Sequence, residues 1–260
     1  VAHLREATQL DPEDAATWST YAQALWRVEW LPQAAEAYER AIALLPNDPW
    51  AHTGLGDTRL RMGVLDDAIT AYETALELDP RAYAAHCGKG AALSKQGAFE
   101  PALASLREAV RLRPDYAPAF YEIGVAHQHN KEYEAALGAF GKAVQLDGWD
   151  VSAVKNMARC YARMGRRDLA KKANDHAAKL QHTHSALAEA RAYVGAYPDK
   201  PGAYLRLGAI YSGIGQADAA IAAYTQALDR DAASIQAATG LADAYLTAGR
   251  LPEAAEAHRA

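Results

Sequence analysis

Histidines and cysteines are the residues of this chain that could ligate a metal ion. Nine histidines are present, and two pairs are spaced two residues apart, His127 with His129 and His182 with His184. Two residues apart on a helix, side chains point about 200° apart, so the first pair is not expected to share one ion. The second pair is predicted to lie in a turn, where the rings can converge with His176. A structural zinc site needs four ligands, and no cysteine or carboxylate set is spaced to complete one. We therefore expect no metal site and no cofactor.

The sequence also lacks the usual signatures of catalysis. It contains no phosphate-binding glycine loop and no G-x-S-x-G nucleophile elbow, and its acidic residues are scattered. The two cysteines, Cys87 and Cys160, are too few to indicate a disulfide framework. We interpret them as isolated thiols in helices and predict that this chain is not an enzyme.

The most unusual charge pattern is a basic stretch between Lys155 and His184. Eight Lys and Arg residues stand there against two Asp residues, whereas the whole chain has a net charge of -5. Lys155, Arg159 and Arg163 are four residues apart and therefore share one face of a helix. We expect this face to anchor an acidic segment of a protein partner. The other interpretation is a solvated face that acidic residues of neighbouring segments neutralise.

A period of 34 residues indicates which elements position these groups. Small residues at so strict a period mark close contacts between helices that repeat along an array. Two alanine series have this period: Ala34, Ala68, Ala102, Ala136 and Ala170, and Ala41, Ala75, Ala109, Ala143 and Ala177.

One period reads as a helical hairpin. Asp48 is placed to cap a helix that has Pro49 in its first turn, where a missing N–H costs nothing. Gly63 permits the turn that follows. Apolar residues then recur at steps of three and four from Leu65, which predicts an amphipathic second helix that ends before Pro80.

The residues at fixed positions of the period resemble the tetratricopeptide repeat, whose signature is W-x2-L-G-x2-Y, then A-x3-F, then P. Trp18 stands at position four, Gly56 at position eight, Tyr72 at position twenty-four and Pro80 at position thirty-two of their repeats. This resemblance implies an all-α fold, an α-solenoid in which the hairpins form a right-handed superhelix. The predicted segments are the second helix of a preceding repeat (1–14), five repeats (15–48, 49–82, 83–116, 117–150 and 151–184), an extra helix or linker (185–200) and two repeats, the last truncated (201–260).

The array is predicted to be interrupted near residues 182–200. The repeat starts at Val151 and Pro201 are 50 residues apart, one period plus sixteen residues that suit a lone amphipathic helix. An odd helix reverses the alternation of the stack, so we expect a change of direction or a hinge there. The alternative is that Arg167 to Lys200 forms a hairpin in phase with Pro201.

The resemblance also implies a concave groove, lined by positions two, five, nine, twelve and thirteen of each first helix. Aromatic and basic groups interleaved there suit an extended peptide with acidic and apolar side chains. The alternative is that Trp26 and Trp50 pack between repeats and that the basic groups are merely solvated. The candidate groove residues are Trp26, Arg27, Trp50, Arg61, Lys95, Tyr121, Gln128, His129, Lys155, Asn156, Arg159 and Arg163.

These patterns predict a scaffold or adaptor that binds a protein or peptide partner. One alternative is the substrate-recognition arm of a larger enzyme, for example a glycosyltransferase-like one, although a repeated groove asparagine is missing. The other is a module that forms homo-oligomers through its open repeat ends. The pI near 6.0 argues against a nucleic-acid binder, and no apolar stretch approaches the ~20 residues that span a bilayer.

Both ends of the sequence fall inside predicted repeats. The chain opens with Val1 and stops at Ala260, within the second helix of the last repeat. We therefore expect a fragment of a longer protein. The expected location is the cytoplasm, or the periplasm if a signal sequence precedes Val1.

Overall fold

The computed structural model describes residues 1–257, which form fifteen α-helices and no strand. The predicted all-α solenoid is confirmed. The described residues divide into two compact units, Val1–Asp175 and a second that begins at His176. The helices are α1 (Ala2–Leu10), α2 (Ala15–Arg27), α3 (Leu31–Leu44), α4 (Pro49–Met62), α5 (Leu65–Leu78), α6 (Tyr83–Lys95), α7 (Phe99–Leu112), α8 (Ala117–His129), α9 (Tyr133–Leu146), α10 (Val151–Arg163), α11 (Arg167–Ala196), α12 (Pro201–Gly213), α13 (Ala217–Arg230), α14 (Ile235–Thr247) and α15 (Leu251–Ala257).

The even-numbered helices from α2 to α14 open the repeats and are called A-helices here; the helix after each is its B-helix. In the N-terminal unit, α2, α4, α6 and α8 each contact the next A-helix along the chain. No two B-helices come as close within the part of the chain that the structure describes. In a curved stack of two helix layers, the helices of the inner layer lie closer to one another than those of the outer layer. The A-helices therefore line the concave side of this unit, as the repeat resemblance implies.

Aspartates begin several A-helices, because a carboxylate can accept hydrogen bonds from the free backbone N–H groups of the first turn. Asp48 accepts one from Trp50 at 2.9 Å, and Asp150 accepts one from Ala153 at 2.9 Å. These caps fix where the groove-lining helices start and hence the register of their side chains.

The aromatic residue at position twenty-four fills the space between two hairpins. Tyr72 is fully buried and lies against Gly56 of its own A-helix and Gly88 of the next one. A Cβ added at Gly56 would lie 2.6 Å from the Tyr72 ring, and one at Gly88 would lie closer still. The predicted role of small residues in close helix contacts is confirmed.

This packing links position twenty-four of one repeat to position six of the next. Where position twenty-four is a tyrosine, position six of the next repeat is a glycine, and a Cβ added there would collide with the tyrosine ring. The pairs are Tyr38 with Gly54, Tyr72 with Gly88, and Tyr224 with Gly240. Where the first is Leu106 or Phe140, the second is Glu122 or Asn156. A side chain is thus present at position six only where the phenol is missing from the preceding repeat.

The turn between A- and B-helices requires one residue with a left-handed backbone. Five repeats use glycine there, with φ from 73° to 84°, while Glu29 and Lys131 take this conformation with φ of 62° and 63°. A residue with a Cβ costs about 1–2 kcal/mol in that region. Glu29 offsets part of this cost by accepting a hydrogen bond of 2.6 Å from Nη2 of Arg61.

The structure differs from the sequence prediction between Arg167 and Lys200. Instead of two helices separated by a turn, or a hairpin, a single helix runs from Arg167 to Ala196, and the boundary between the two compact units falls within it. The prediction that His182 and His184 lie in a turn is wrong, and on a helix their side chains point about 200° apart. The physical reason is that no proline lies between Arg167 and Pro198 to break the helix. The change of direction near this segment stays a prediction.

No helix within residues 1–257 combines the length and the apolar character needed to cross a bilayer, and the 30-residue α11 is no exception.

Candidate peptide-binding groove

The structure brings half of the predicted groove residues together where α8 and α10 meet. Nδ2 of Asn156 donates a hydrogen bond of 3.2 Å to the hydroxyl of Tyr121, and Nη1 of Arg159 donates one of 3.0 Å to Oδ1 of Asn156. Nε2 of Gln128 donates to the backbone carbonyl of Asn156 at 3.2 Å. This network couples the two helices and holds the guanidinium of Arg159 in one place. The six residues brought together are Tyr121, Gln128, His129, Asn156, Arg159 and Arg163.

A cleft of about 560 Å³ opens beside this network, and we call it the basic cleft. Its lining contains three permanent cations and no acidic residue. Within residues 1–257, Lys131, Arg159 and Arg163 form no ion pair. The ring of His129 stacks on that of Phe99, with 6.4 Å between the ring centroids. The lining residues are Gln128, His129, Lys131, Tyr133, Arg159 and Arg163.

Lys131 combines this location with the strained backbone of the turn. Replacing Lys131 with glycine is expected to raise the free energy of unfolding by roughly 0.5–1 kcal/mol, because glycine adopts a positive φ without steric cost. Lys131→Ala removes the same charge but keeps the strain, so it is the matched control and should not be stabilising. Urea denaturation of the three proteins checks this. An equal stability of the glycine and alanine variants would contradict it.

The remaining predicted groove residues lie outside the basic cleft. Lys155 is exposed but is not among the cleft-lining residues, so the predicted stripe reaches the cleft only through Arg159 and Arg163. The guanidinium of Arg61 lies 4.8 Å from the ring centroid of Trp26. Arg61 is therefore engaged both by the Trp26 ring and by the carboxylate of Glu29. Arg27 is exposed at the end of α2.

Two acidic residues near the groove were absent from the predicted set. Burial raises the pKa of Glu122 on α8 to about 7, and the nearby ammonium of Lys95 opposes that rise. Burial also raises the pKa of Asp57 on α4 to about 6, although its Oδ1 accepts a 2.7 Å hydrogen bond from the hydroxyl of Tyr72. Asp57 occupies position nine of its repeat, as Arg159 does. Position nine is one of the groove-lining positions, so the sequence could have indicated Asp57 as a groove residue.

Asp57 lines a second cleft, of about 300 Å³, which we call the acidic cleft. Trp50, one of the predicted groove residues, borders it and is 59% exposed. The lining residues are Gln23, Tyr38, Pro49, Trp50, Thr53, Gly54, Asp57, Asp79, Arg81, Ala82, Tyr83 and Ala84.

Several histidines and both cysteines have local structural roles. Nε2 of His52 lies 2.9 Å from the carbonyl oxygen of Pro46, and Nε2 of His86 lies 3.0 Å from that of Pro80, so both rings donate to the preceding loop. Both cysteines are buried, and burial raises their pKa values. Across residues 1–257, no three His, Cys, Asp or Glu side chains are grouped closely enough to hold a metal ion.

Comparisons with known proteins agree with this architecture. Tetratricopeptide repeat models match residues 53–117, 93–148, 127–193 and 210–260, and a further TPR repeat model matches residues 31–63. No curated protein matches the chain.

Among solved structures, MamA (residue 41 to its end) from Desulfovibrio magneticus RS-1 is 24% identical, with a TM-score of 0.55 over 65% of this chain and 95% of its own. PilW, a type IV pilus biogenesis factor, is 22% identical, with a TM-score of 0.62 over 70% of this chain and 83% of its own. PilF of Pseudomonas aeruginosa is 18% identical, with a TM-score of 0.57 over 86% and 94%. At these identities the likeness concerns the fold alone. The matches of the family models over more than half of the chain, together with the stacked helical hairpins, show that the protein belongs to the tetratricopeptide repeat family.

Proposed function

We propose that this protein is a scaffold or adaptor that holds an extended segment of a partner protein along the A-helices of its N-terminal unit. Acidic side chains of that segment lie in the basic cleft. The observation that carries this proposal is the lining of the cleft, which contains Lys131, Arg159 and Arg163 but no acidic residue, and these three cations form no ion pair within residues 1–257. An acidic partner would supply the missing counter-charge.

The geometry of Arg159 favours a carboxylate. A guanidinium presents its N–H donors in a planar fork that matches both oxygens of a carboxylate. Asn156 already orients this fork, and Tyr121 orients Asn156. Because the donor is held before the partner arrives, less conformational entropy is lost on binding. Tyr133 and His129 add ring surface beside the cations for apolar side chains of the same segment.

Membership of the tetratricopeptide repeat family supports the same role. Each repeat buries its apolar face on its neighbours, so the array leaves a long surface free for partners. The cytoplasmic location and a homo-oligomer formed through the repeat ends stay predictions.

The test is charge reversal in the basic cleft. A fluorescein-labelled peptide in which Glu alternates with Ala is titrated with the wild type and with the Arg159→Glu/Arg163→Glu variant, and binding is followed by fluorescence anisotropy. We expect the double reversal to weaken binding by roughly 30-fold or more, since truncated or reversed charge pairs typically cost 2–5 kcal/mol. Wild-type affinity should also fall as salt is raised, because added ions screen the attraction.

The matched control is Lys171→Glu/Lys172→Glu, which makes the same change of net charge on the exposed start of α11. This variant should keep most of the wild-type affinity. If both double reversals weaken binding equally, the attraction is a property of the overall charge and the basic cleft is not the docking site. The same conclusion follows if neither has an effect. Thermal melts confirm that all variants are folded.

A further inference from the structure

The acidic cleft is lined by a tyrosine hydroxyl and a half-buried carboxylate that can each accept a further hydrogen bond. Tyr38 is only 4% exposed, and its hydroxyl has no hydrogen-bond partner among residues 1–257. The carboxylate of Asp57 accepts one hydrogen bond, from Tyr72, and no cation of the described residues pairs with it. Both groups line the cleft, and both can accept a hydrogen bond from a ligand in it.

The other walls of the cleft suit a cation. The exposed indole of Trp50 offers an aromatic face, and positively charged groups are attracted to such faces. Asp79 adds a second carboxylate. Arg81 is the one cation in the lining, and its side chain is exposed to solvent, whereas Asp57 is half-buried. The net charge of the lining is therefore negative. The volume of about 300 Å³ is at the lower end of ligand pockets, which fits a single long side chain.

We propose that the acidic cleft binds a Lys or Arg side chain of the same partner segment whose acidic side chains lie in the basic cleft. The ammonium or guanidinium donates to Asp57 and to the hydroxyl of Tyr38 and lies beside the ring of Trp50. This inference rests on the proposed function and extends it. The groove then selects a segment with a cation at one end and carboxylates at the other, and so fixes the direction in which the segment runs.

The spacing of the two charges follows from the repeat geometry. Asp57 and Arg159 both occupy position nine, on α4 and α10, which are three A-helices apart in the N-terminal unit. Packed helices lie about 8–10 Å apart, so three steps amount to roughly 24–30 Å. An extended chain covers about 3.3 Å per residue, so the two charges of the partner should be separated by about eight residues.

Synthetic peptides test both the cation and the spacing. The first probe carries a block of glutamates, a spacer of about eight Ser and Gly residues, and one lysine. The second has norleucine in place of that lysine, which keeps the alkyl chain and removes the charge. The third has the lysine next to the glutamates. Each labelled peptide is titrated with the protein, and binding is followed by fluorescence anisotropy. The order of the three affinities is the result that tests the inference.

We expect the spaced lysine peptide to bind wild type roughly tenfold more tightly than the norleucine peptide, as a hydrogen-bonded charge pair would provide. The adjacent-lysine peptide should show no such advantage. Asp57→Asn keeps an acceptor for the Tyr72 hydroxyl and removes the negative charge, so it should abolish the tenfold difference while leaving norleucine peptide binding unchanged. Tyr38→Phe should reduce the difference without affecting the fold.

The outcomes separate this inference from the proposed function. If lysine and norleucine peptides bind wild type equally while Arg159→Glu/Arg163→Glu still weakens both, the cation site is wrong and the scaffold proposal stands. If the lysine advantage is present and sensitive to Asp57→Asn but the double reversal has no effect, the cation site stands and the acidic anchor is wrong. Equal weakening of both peptides by Asp57→Asn means that this residue acts through the fold, which overturns the inference.

Discussion

Tyr72→Ala is expected to lower the free energy of unfolding by about 3–5 kcal/mol, the usual range for truncating a buried aromatic residue. The ring is fully buried between Gly56 and Gly88, so its removal leaves a cavity between two hairpins. It also removes the hydroxyl that donates a hydrogen bond to Asp57. Because neighbouring repeats stabilise one another, loss of this contact weakens the interface between two repeats as well as one hairpin.

The matched control is Tyr72→Phe, which keeps the ring and loses only the hydroxyl. A single hydrogen bond to a charged group contributes about 1.5–3 kcal/mol, so the phenylalanine variant should lose about that much stability and less than the alanine variant. Urea denaturation followed by circular dichroism measures both variants. A loss below about 1 kcal/mol for Tyr72→Ala would contradict the packing role of the ring.

Glu122→Gln is expected to stabilise the protein at pH 8 and to change stability little at pH 4. The ordinary pKa of 4.5 is raised to about 7 in the folded protein by burial. Between these values the folded chain holds a proton that the unfolded chain has lost, so the stability of the wild type falls as pH rises. Glutamine carries no charge at any of these pH values and avoids that penalty. The gain at pH 8 should be about 1–3 kcal/mol, less than the shift alone implies because Glu122 is partly exposed.

Melting temperatures measured between pH 4 and pH 8 check this sign. Asp57 has a raised pKa from the same cause, so the Gln variant should keep part of the pH dependence. Glu77→Gln, the same change at an exposed position, is the control for the substitution itself. A Glu122→Gln variant that is less stable than wild type at pH 8 would show that the carboxylate is stabilised in its charged form.

The repeat pattern predicted most of the fold because the same contact recurs in each period. Gly56 and Tyr72 are sixteen residues apart in sequence, and their types alone indicate a small residue under an aromatic ring. The continuous α11 escaped prediction because a period of 34 residues does not say whether a helix stops at a repeat boundary. That depends on local helix breakers, and none lies between Asn174 and Gly195.

The sequence predicted which positions of the repeat line the groove, but not which of those residues come together in one cleft. Helical spacing groups Lys155 with Arg159 and Arg163, yet only the last two line the basic cleft, since the cleft also needs residues of α8 and the following turn. The charge of a residue likewise does not reveal its surroundings. Asp57 and an exposed aspartate are alike in sequence, and only the packing of Tyr72 and its neighbours distinguishes them.

A repeat of this chain cannot be exchanged for another without attention to its neighbour. The tyrosine at position twenty-four of one repeat requires a glycine at position six of the next, so placing the fourth repeat after the second would set the Tyr72 ring against the side chain of Glu122. Duplication or deletion of a repeat is therefore tolerated only when each such tyrosine is still followed by a repeat with glycine at position six. Although the repeats have similar folds, these contacts between successive repeats determine the order in which they can follow one another.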